Sequence, residues 1–205
     1  MAVKRMLFLP LLVLLCCVRV NVGSDSPATV IHKLDYAPPR ADERTLETVV
    51  RVFDFVVTAG YDRNALVLVL ADGTVHRTGF HQWASPPGQA LPDLLHRDLI
   101  AETSFPAVYR RGAVEGQELI IEGFVREFGA RESNGAWAAV LDVDVLIRYA
   151  GRTEGKNQRT YRLSKPLSRE GYQALAQVLS SLVQEWSQEV RFDIRTFVES
   201  SGGRH

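Results

Sequence analysis

The sequence has very little cysteine. Its only two, Cys16 and Cys17, stand side by side near the start. Everything after them must therefore fold without a disulfide, a thiolate nucleophile or a cysteine metal ligand. Acid is also missing at the start, with no Asp or Glu before Asp25. An excess of base is missing from the whole: Lys+Arg is 24 and Asp+Glu is 24. A chain beginning at Cys17 would lose Lys4 and Arg5 from the basic count and lean slightly acidic. No positive field is left to hold nucleic acid. A nucleophile elbow, a P-loop, a dinucleotide fingerprint and a zincin motif are absent as well.

What is present starts with an export segment. Lys4 and Arg5 precede an uncharged run from Met6 to Val18. A short basic stretch before an apolar one describes a secretory signal. The run is shorter than the ~18 residues needed to cross a bilayer. Two processing routes stay open. Leu14-Leu15-Cys16-Cys17 offers lipoprotein processing with acylation of Cys17, although Cys16 stands where Gly, Ala or Ser is usual. Val22-Gly23-Ser24 offers ordinary signal cleavage. The organisation expected is a signal over 1–24, one domain over 28–197 and a frayed polar tail over 198–205. With 46% hydrophobic and 23% charged residues, the domain can bury a core of its own.

Patterning predicts strands over Val30–Tyr36, Thr48–Thr58, Ala65–Ala71, Thr74–Phe80, Ala107–Arg110, Glu118–Phe128, Ala136–Tyr149 and Gln158–Leu163. Asp72-Gly73 suggests a two-residue type I′ turn, and Ser133-Asn134-Gly135 another hairpin. Ser85-Pro86-Pro87 reads as a helix start capped by Ser85, followed by Leu91, Leu94, Leu95 and Leu99 at helical spacing. Pro92 conflicts with that helix and predicts a late start or a kink. A second helix opens at Pro166 and Ser168. Its apolar stripe is Tyr172, Leu175, Leu179, Leu182, Val183, Trp186 and Val190. The class expected is α+β: a single mixed, mostly antiparallel sheet with two main helices packed on it.

Four features could carry chemistry or contacts. Asp142 and Asp144 alternate with Leu141, Val143 and Val145, so both carboxylates share one face of a strand, ~6.6 Å apart. That is a spacing for acid–base work on a sugar, and equally an ordinary solvent-facing charged stripe. His76 and His81 could ligate a metal, but an odd separation puts them on opposite faces of a regular strand. Trp83, leading into Pro86 and Pro87, is either a packing anchor or part of a partner-binding surface. The Trp186 stripe is either core packing or a docking face.

The phrase His81-Gln82-Trp83-Ala84-Ser85-Pro86-Pro87, with its Leu-rich helix ending before Ser104-Phe105-Pro106-Ala107-Val108, resembles the ABC-type transport auxiliary lipoprotein component family. Other pieces agree in order. They are Lys33-Leu34-Asp35-Tyr36, the segment Leu119 to Phe128 with its central Gly123, Ala136-Trp137-Ala138-Ala139-Val140-Leu141, and the closing helix from Ser168 to Ile194. The resemblance implies a mixed sheet packed by helices. It also implies a periplasmic lipoprotein, commonly held to the outer membrane, that works beside an MCE-domain protein and an ABC permease and ATPase. It brings no catalytic residue, no metal and no cofactor. The weak lipobox and Pro92 depart from the family pattern.

Three functions follow as expectations. The first is a non-catalytic docking component of an envelope transporter of lipids or apolar solutes, anchored through Cys17 and with a homo-oligomer among its expected states. The second is a soluble periplasmic carrier of an apolar ligand, which requires a cavity between helix and sheet. The third is an exported hydrolase using Asp142 and Asp144.

Overall fold

The computed structural model describes residues 28–42, 45–152, 155–168 and 171–202. Cys16, Cys17 and the segment expected to direct export lie outside the described residues. The elements run β1 (Val30–His32), β2 (Val50–Val52), β3 (Val56–Val57), β4 (Ala65–Val69), β5 (Val75–Trp83), α1 (Pro87–Glu102), β6 (Val108–Arg110), β7 (Leu119–Ser133), β8 (Ala136–Tyr149), β9 (Lys156–Pro166) and α2 (Tyr172–Gly202). No helix among the described residues is long and apolar enough to cross a membrane.

β7 organises the sheet. On one side it pairs antiparallel with β8 along its whole length, and β8 pairs antiparallel with β9. On its other side three short strands take successive stretches of the same edge, all parallel. β2 meets Leu119–Ile121, β3 meets Phe124–Val125, and β4 meets Ala130–Arg131. β6 extends the sheet beyond β2, and β5 and then β1 extend it beyond β4. The long ladders are antiparallel and the short ones parallel, so the α+β mixed sheet holds.

The hairpin between β7 and β8 is made by Asn134 (φ 52) and Gly135 (φ 76). Two consecutive positive-φ residues give the type I′ turn that matches strand twist. The loop at Asp72 differs from its expectation. Only Gly73 there has positive φ. Gly73 N–H donates to the Leu70 carbonyl and Leu70 N–H to the Thr74 carbonyl, both at 2.9 Å. This is a three-residue loop, a type I turn closed by a left-handed glycine, with Asp72 accepting from Thr74 N–H at 2.8 Å.

Residues 48–58, expected as one strand, form two. Phe55 turns its N–H away from β7 toward the Gly88 carbonyl at 2.9 Å. Pro92 explains why that carbonyl is available. It has no N–H to close the i→i−4 bond onto Gly88. α1 therefore starts at Pro87, without the delay expected, and accommodates Pro92 inside it. Its N-cap is Pro86 rather than Ser85, with no side-chain cap bond.

The two helices lie on one face of the sheet. Leu141, Val143, Val145 and Ile147 of β8 point into the layer between and are at most 2% exposed. α2 contributes Leu175, Leu179, Leu182, Val183, Trp186, Val190 and Ile194, all buried. This is the expected stripe, so Trp186 is core. The helix starts later than expected, because Pro166 ends β9 and the first helical residue is Tyr172. It also ends later, carrying residues 198–202 that were expected to fray. Two glycines in β7 permit close approach. A Cβ on Gly123 would meet the Phe55 ring at 2.6 Å, and one on Gly129 would run into the Val67 carbonyl oxygen. Phe55 in turn stands edge-on to Trp186, ring centroids 6.0 Å apart.

Candidate docking surface

The Trp83 corner is where β5 meets α1. Trp83 ends β5, is 2% exposed, and stands edge-on to Phe128 at 5.3 Å. Pro87 is buried and Pro86 half-buried. Trp83 and Pro87 thus sit under the surface and set its shape, and of the three only Pro86 reaches solvent. β1 is fastened to this corner, since Ala84 N–H donates to the His32 carbonyl at 2.8 Å.

Asp142 and Asp144 lie on the sheet face away from the helices; Asp144 is engaged through both oxygens and Asp142 through Oδ2, its Oδ1 being buried without a partner. Asp144 accepts from the Thr160 hydroxyl at 2.6 Å and from the Arg126 guanidinium. Asp142 pairs with Arg162 at 3.3 Å. Burial pushes the Asp144 carboxyl up, but the Thr160 and Arg126 bonds outweigh it and hold it below the usual range. A general acid needs the opposite shift. The same face carries Glu122–Arg148 and Glu127–Arg131 pairs. The sheet face is therefore a grid of paired charges in which the two aspartates are ordinary members.

His76 is exposed. His81 points to the helix side, where its Nδ1 meets His32 Nε2 at 3.0 Å and its ring stacks on Tyr172 at 4.0 Å. His32 sits edge-on to Trp83. Burial and the neighbouring His81 hold His32 below its usual pKa, against a bond that His32 donates to Gln173. Among the described residues no three His, Cys, Asp or Glu side chains gather as a metal site.

The sequence reading missed a polar network buried between the helices. Asp98 and Glu102 of α1 are 1% and 5% exposed. Asp98 accepts from the Tyr36 hydroxyl at 2.7 Å, the Ser187 hydroxyl at 2.6 Å and the Arg97 guanidinium. Glu102 Oε1 takes both Arg191 and Arg195 of α2. Burial and the Asp98 charge push the Tyr36 hydroxyl well above its usual range. An open cleft of about 350 Å³ lies beside this network, with Pro38 and Pro39 in its lining. A signal for the network was available. Asp98 and Glu102 continue the Leu91–Leu95 face, and Ser187 and Arg191 continue the Val183 face, so charges stood on both apolar stripes. A second charged lock, Arg51 to Glu118, is also buried, at 2.5 Å and 2.9 Å.

Together these observations define a two-layer α+β domain in which charged groups close on one another and the helix pair is tied together through buried polar contacts. The chain belongs to the ABC-type transport auxiliary lipoprotein component family, whose model matches residues 32–191. Crystal structures that share the fold include two of proteins of similar length. Protein XCC0632 from Xanthomonas campestris, of the DUF330 family, has a TM-score of 0.72 at 15% identity, covering 84% of this chain and 99% of that one. An uncharacterized protein has a TM-score of 0.63 at 20% identity, covering 82% and 98%. No curated protein matches the chain. The family is one of lipoproteins serving ABC-type transport, work done at the cell envelope.

Proposed function

We propose that the protein is a non-catalytic periplasmic auxiliary lipoprotein, held to the outer membrane through an acylated Cys17. It would work beside an MCE-domain protein and an ABC permease and ATPase that move lipids or apolar solutes between membranes. The observation that carries this reading is the family match over residues 32–191, which takes in nearly the whole domain. The occupied carboxylates support it, because the best catalytic pair in the sequence is spent on Arg126, Thr160 and Arg162.

The domain would contribute a surface and a tether. Several acyl chains on one cysteine anchor stably where a single chain binds marginally. Pro86, on a corner braced from beneath by Trp83 and Pro87, is the partner contact proposed from this region. A homo-oligomer is part of the proposal, since a domain that meets a ring-shaped partner often takes its symmetry.

Fractionation of cells producing the wild type and Cys17→Ser tests the tether. The wild type is expected in the membrane fraction and Cys17→Ser in the soluble periplasmic fraction. A wild type that is already soluble, with an unmodified N-terminal peptide, would overturn the anchor.

A further inference from the structure

We propose that the cleft beside the buried network of α1 and α2 is a binding site for a neutral sugar ring. Three pieces of chain line it: the segment after β1, the end of α1 and the middle of α2. Its volume is about 350 Å³, inside the ~300–1,000 Å³ typical of small-molecule sites. Two lining residues, Glu102 and Arg191, leave hydrogen-bonding atoms unused there. Arg191 and Arg195 both donate to Glu102 Oε1. Glu102 Oε2 and Arg191 Nε have no partner, although the two side chains are only 7% and 9% exposed. A buried acceptor and a buried donor each carry a desolvation cost until they are filled. One group that both donates and accepts answers the pair. A hydroxyl is such a group. Water is another, and a ligand hydroxyl would take its place.

The rest of the lining selects among hydroxyl compounds. An anion placed in the cleft would meet the carboxylates of Asp98 and Glu102, and a cation the guanidiniums of Arg191 and Arg195. A hydrocarbon would cover Glu102 Oε2 and Arg191 Nε without pairing them. A peptide backbone carries its donor and acceptor on separate groups, so no single atom of it serves both. Gln184 and Gln188 stand one helical turn apart, exposed at the cleft. Each amide offers donors and an acceptor, the mixed set that adjacent ring hydroxyls require. Pro38 and Pro39 add C–H surface for the apolar face of a ring. A neutral polyol in ring form meets all of these conditions together.

The segment carrying the two prolines is held in place before any ligand arrives. Asp35 N–H donates to the Ser180 hydroxyl at 3.1 Å. Tyr36 donates to Asp98 at 2.7 Å, with the Arg97 guanidinium 4.3 Å from the centre of its ring. At the far end Asp42 N–H donates to the Glu102 carbonyl at 2.7 Å. Pro38 and Pro39 lie between these fastenings, and a preorganised site binds without the entropic cost of being formed. The inference goes beyond the transporter reading and needs no partner protein.

The test titrates the full chain, isotope-labelled and purified in detergent, with sugars while NMR follows its signals. The neutral probes are glucose, galactose and N-acetylglucosamine. Glucuronate and glucosamine are charged probes of similar size. The expected result is a saturable shift of the Gln184 and Gln188 signals and of the Arg191 Nε–H signal with at least one neutral sugar. Affinity for the charged probes should be at least several-fold weaker. Gln184→Ala and Gln188→Ala, both at exposed positions, should each weaken binding several-fold while their thermal melts match wild type. No saturable shift with any of the neutral sugars would overturn the proposal and leave the Glu102–Arg191 pair to solvent. Equal affinity for glucuronate or glucosamine would also overturn it, as would unchanged affinity in both folded variants. Capture of a transporter from membranes would be unaffected by either substitution, so failure here is distinct from failure of the transporter reading.

Discussion

The amide of Phe55 donates to the carbonyl of Gly88 at 2.9 Å, in the place that Pro92 leaves empty inside α1. One residue that looks like a helix breaker thus fastens the helix to the sheet. Gly88 is fitted to this contact, because a Cβ there would lie 2.6 Å from both the Phe55 carbonyl oxygen and Val57 Cγ2.

Gly88→Ala should therefore destabilise the fold by about 1–3 kcal/mol, the range for forced overpacking. Gly123→Ala should act similarly, through the Phe55 ring that occupies its missing side chain. Urea unfolding measures both. Stability equal to wild type in the two variants would mean that the Phe55 segment is not clamped between α1 and β7.

This contact also marks where the sequence could be read and where it could not. β8 was legible residue by residue, because Leu141, Val143, Val145 and Ile147 alternate strictly with half-exposed neighbours. The α2 stripe was legible because steps of three and four admit one buried face. The split of residues 48–58 was not legible. Val and Phe dominate there and favour a strand. Asp54, which stands in the break, was the one local hint, and the long-range bond from Phe55 fixes where the strand divides. The Asp72-Gly73 loop was misassigned because its local sequence suits two turn types, and the strand register chose the longer. Trp83 could be placed at a corner, but its burial depends on Phe128, far along the chain. The lipidated cysteine expected at Cys17 lies outside the described residues, so the tether rests on sequence and family.

The Asp98 and Glu102 network should be the most costly polar feature to break. Glu102→Ala leaves Arg191, whose side chain is 9% exposed, without its partner in the interior. A loss of about 3–5 kcal/mol is expected, as for other broken buried pairs. Replacing Glu102 and Arg191 together by Met should recover much of that loss. A double-mutant cycle in urea checks it, and additive losses would show that the two side chains are not coupled.

Stability should fall on mild acidification. His32 has a lowered pKa in the fold, so below its usual value of 6.5 the unfolded chain takes up a proton that the folded one resists. Unfolding is thereby favoured as pH drops from about 6.5 until the folded His32 is itself protonated. The groups around it are His81, Gln173 and, through His81, Tyr172. His32→Gln should flatten this part of the pH profile of Tm. A further loss is expected below the usual carboxylate values of 3.8 for Asp54 and Asp144 and 4.5 for Glu118. Arg110 and Arg111 hold Asp54 low, Thr160 and then Arg126 hold Asp144 low, and Arg51 holds Glu118 low. A wild-type Tm that is level from pH 7 to 5 would contradict the histidine effect.

Asp142→Asn and Asp144→Asn should fold and leave envelope function intact. Their partners Arg162 and Arg126 are 69% and 45% exposed. Solvent screens such pairs, and each substitution should cost no more than about 1 kcal/mol. Complementation of a deletion strain under detergent stress measures function. Loss of function in both folded variants would revive the hydrolase reading.

The docking reading meets its most direct test in purification from native membranes. The protein, tagged at its C-terminus and mildly cross-linked in cells, would be isolated and its companions identified by mass spectrometry. Recovery of an MCE-domain protein or an ABC permease is the result predicted, with recovery reduced when Pro86 is replaced by Glu in a folded variant. A protein that comes out alone, from cells in which a known envelope complex is captured in parallel, would contradict the proposal that it serves such a transporter.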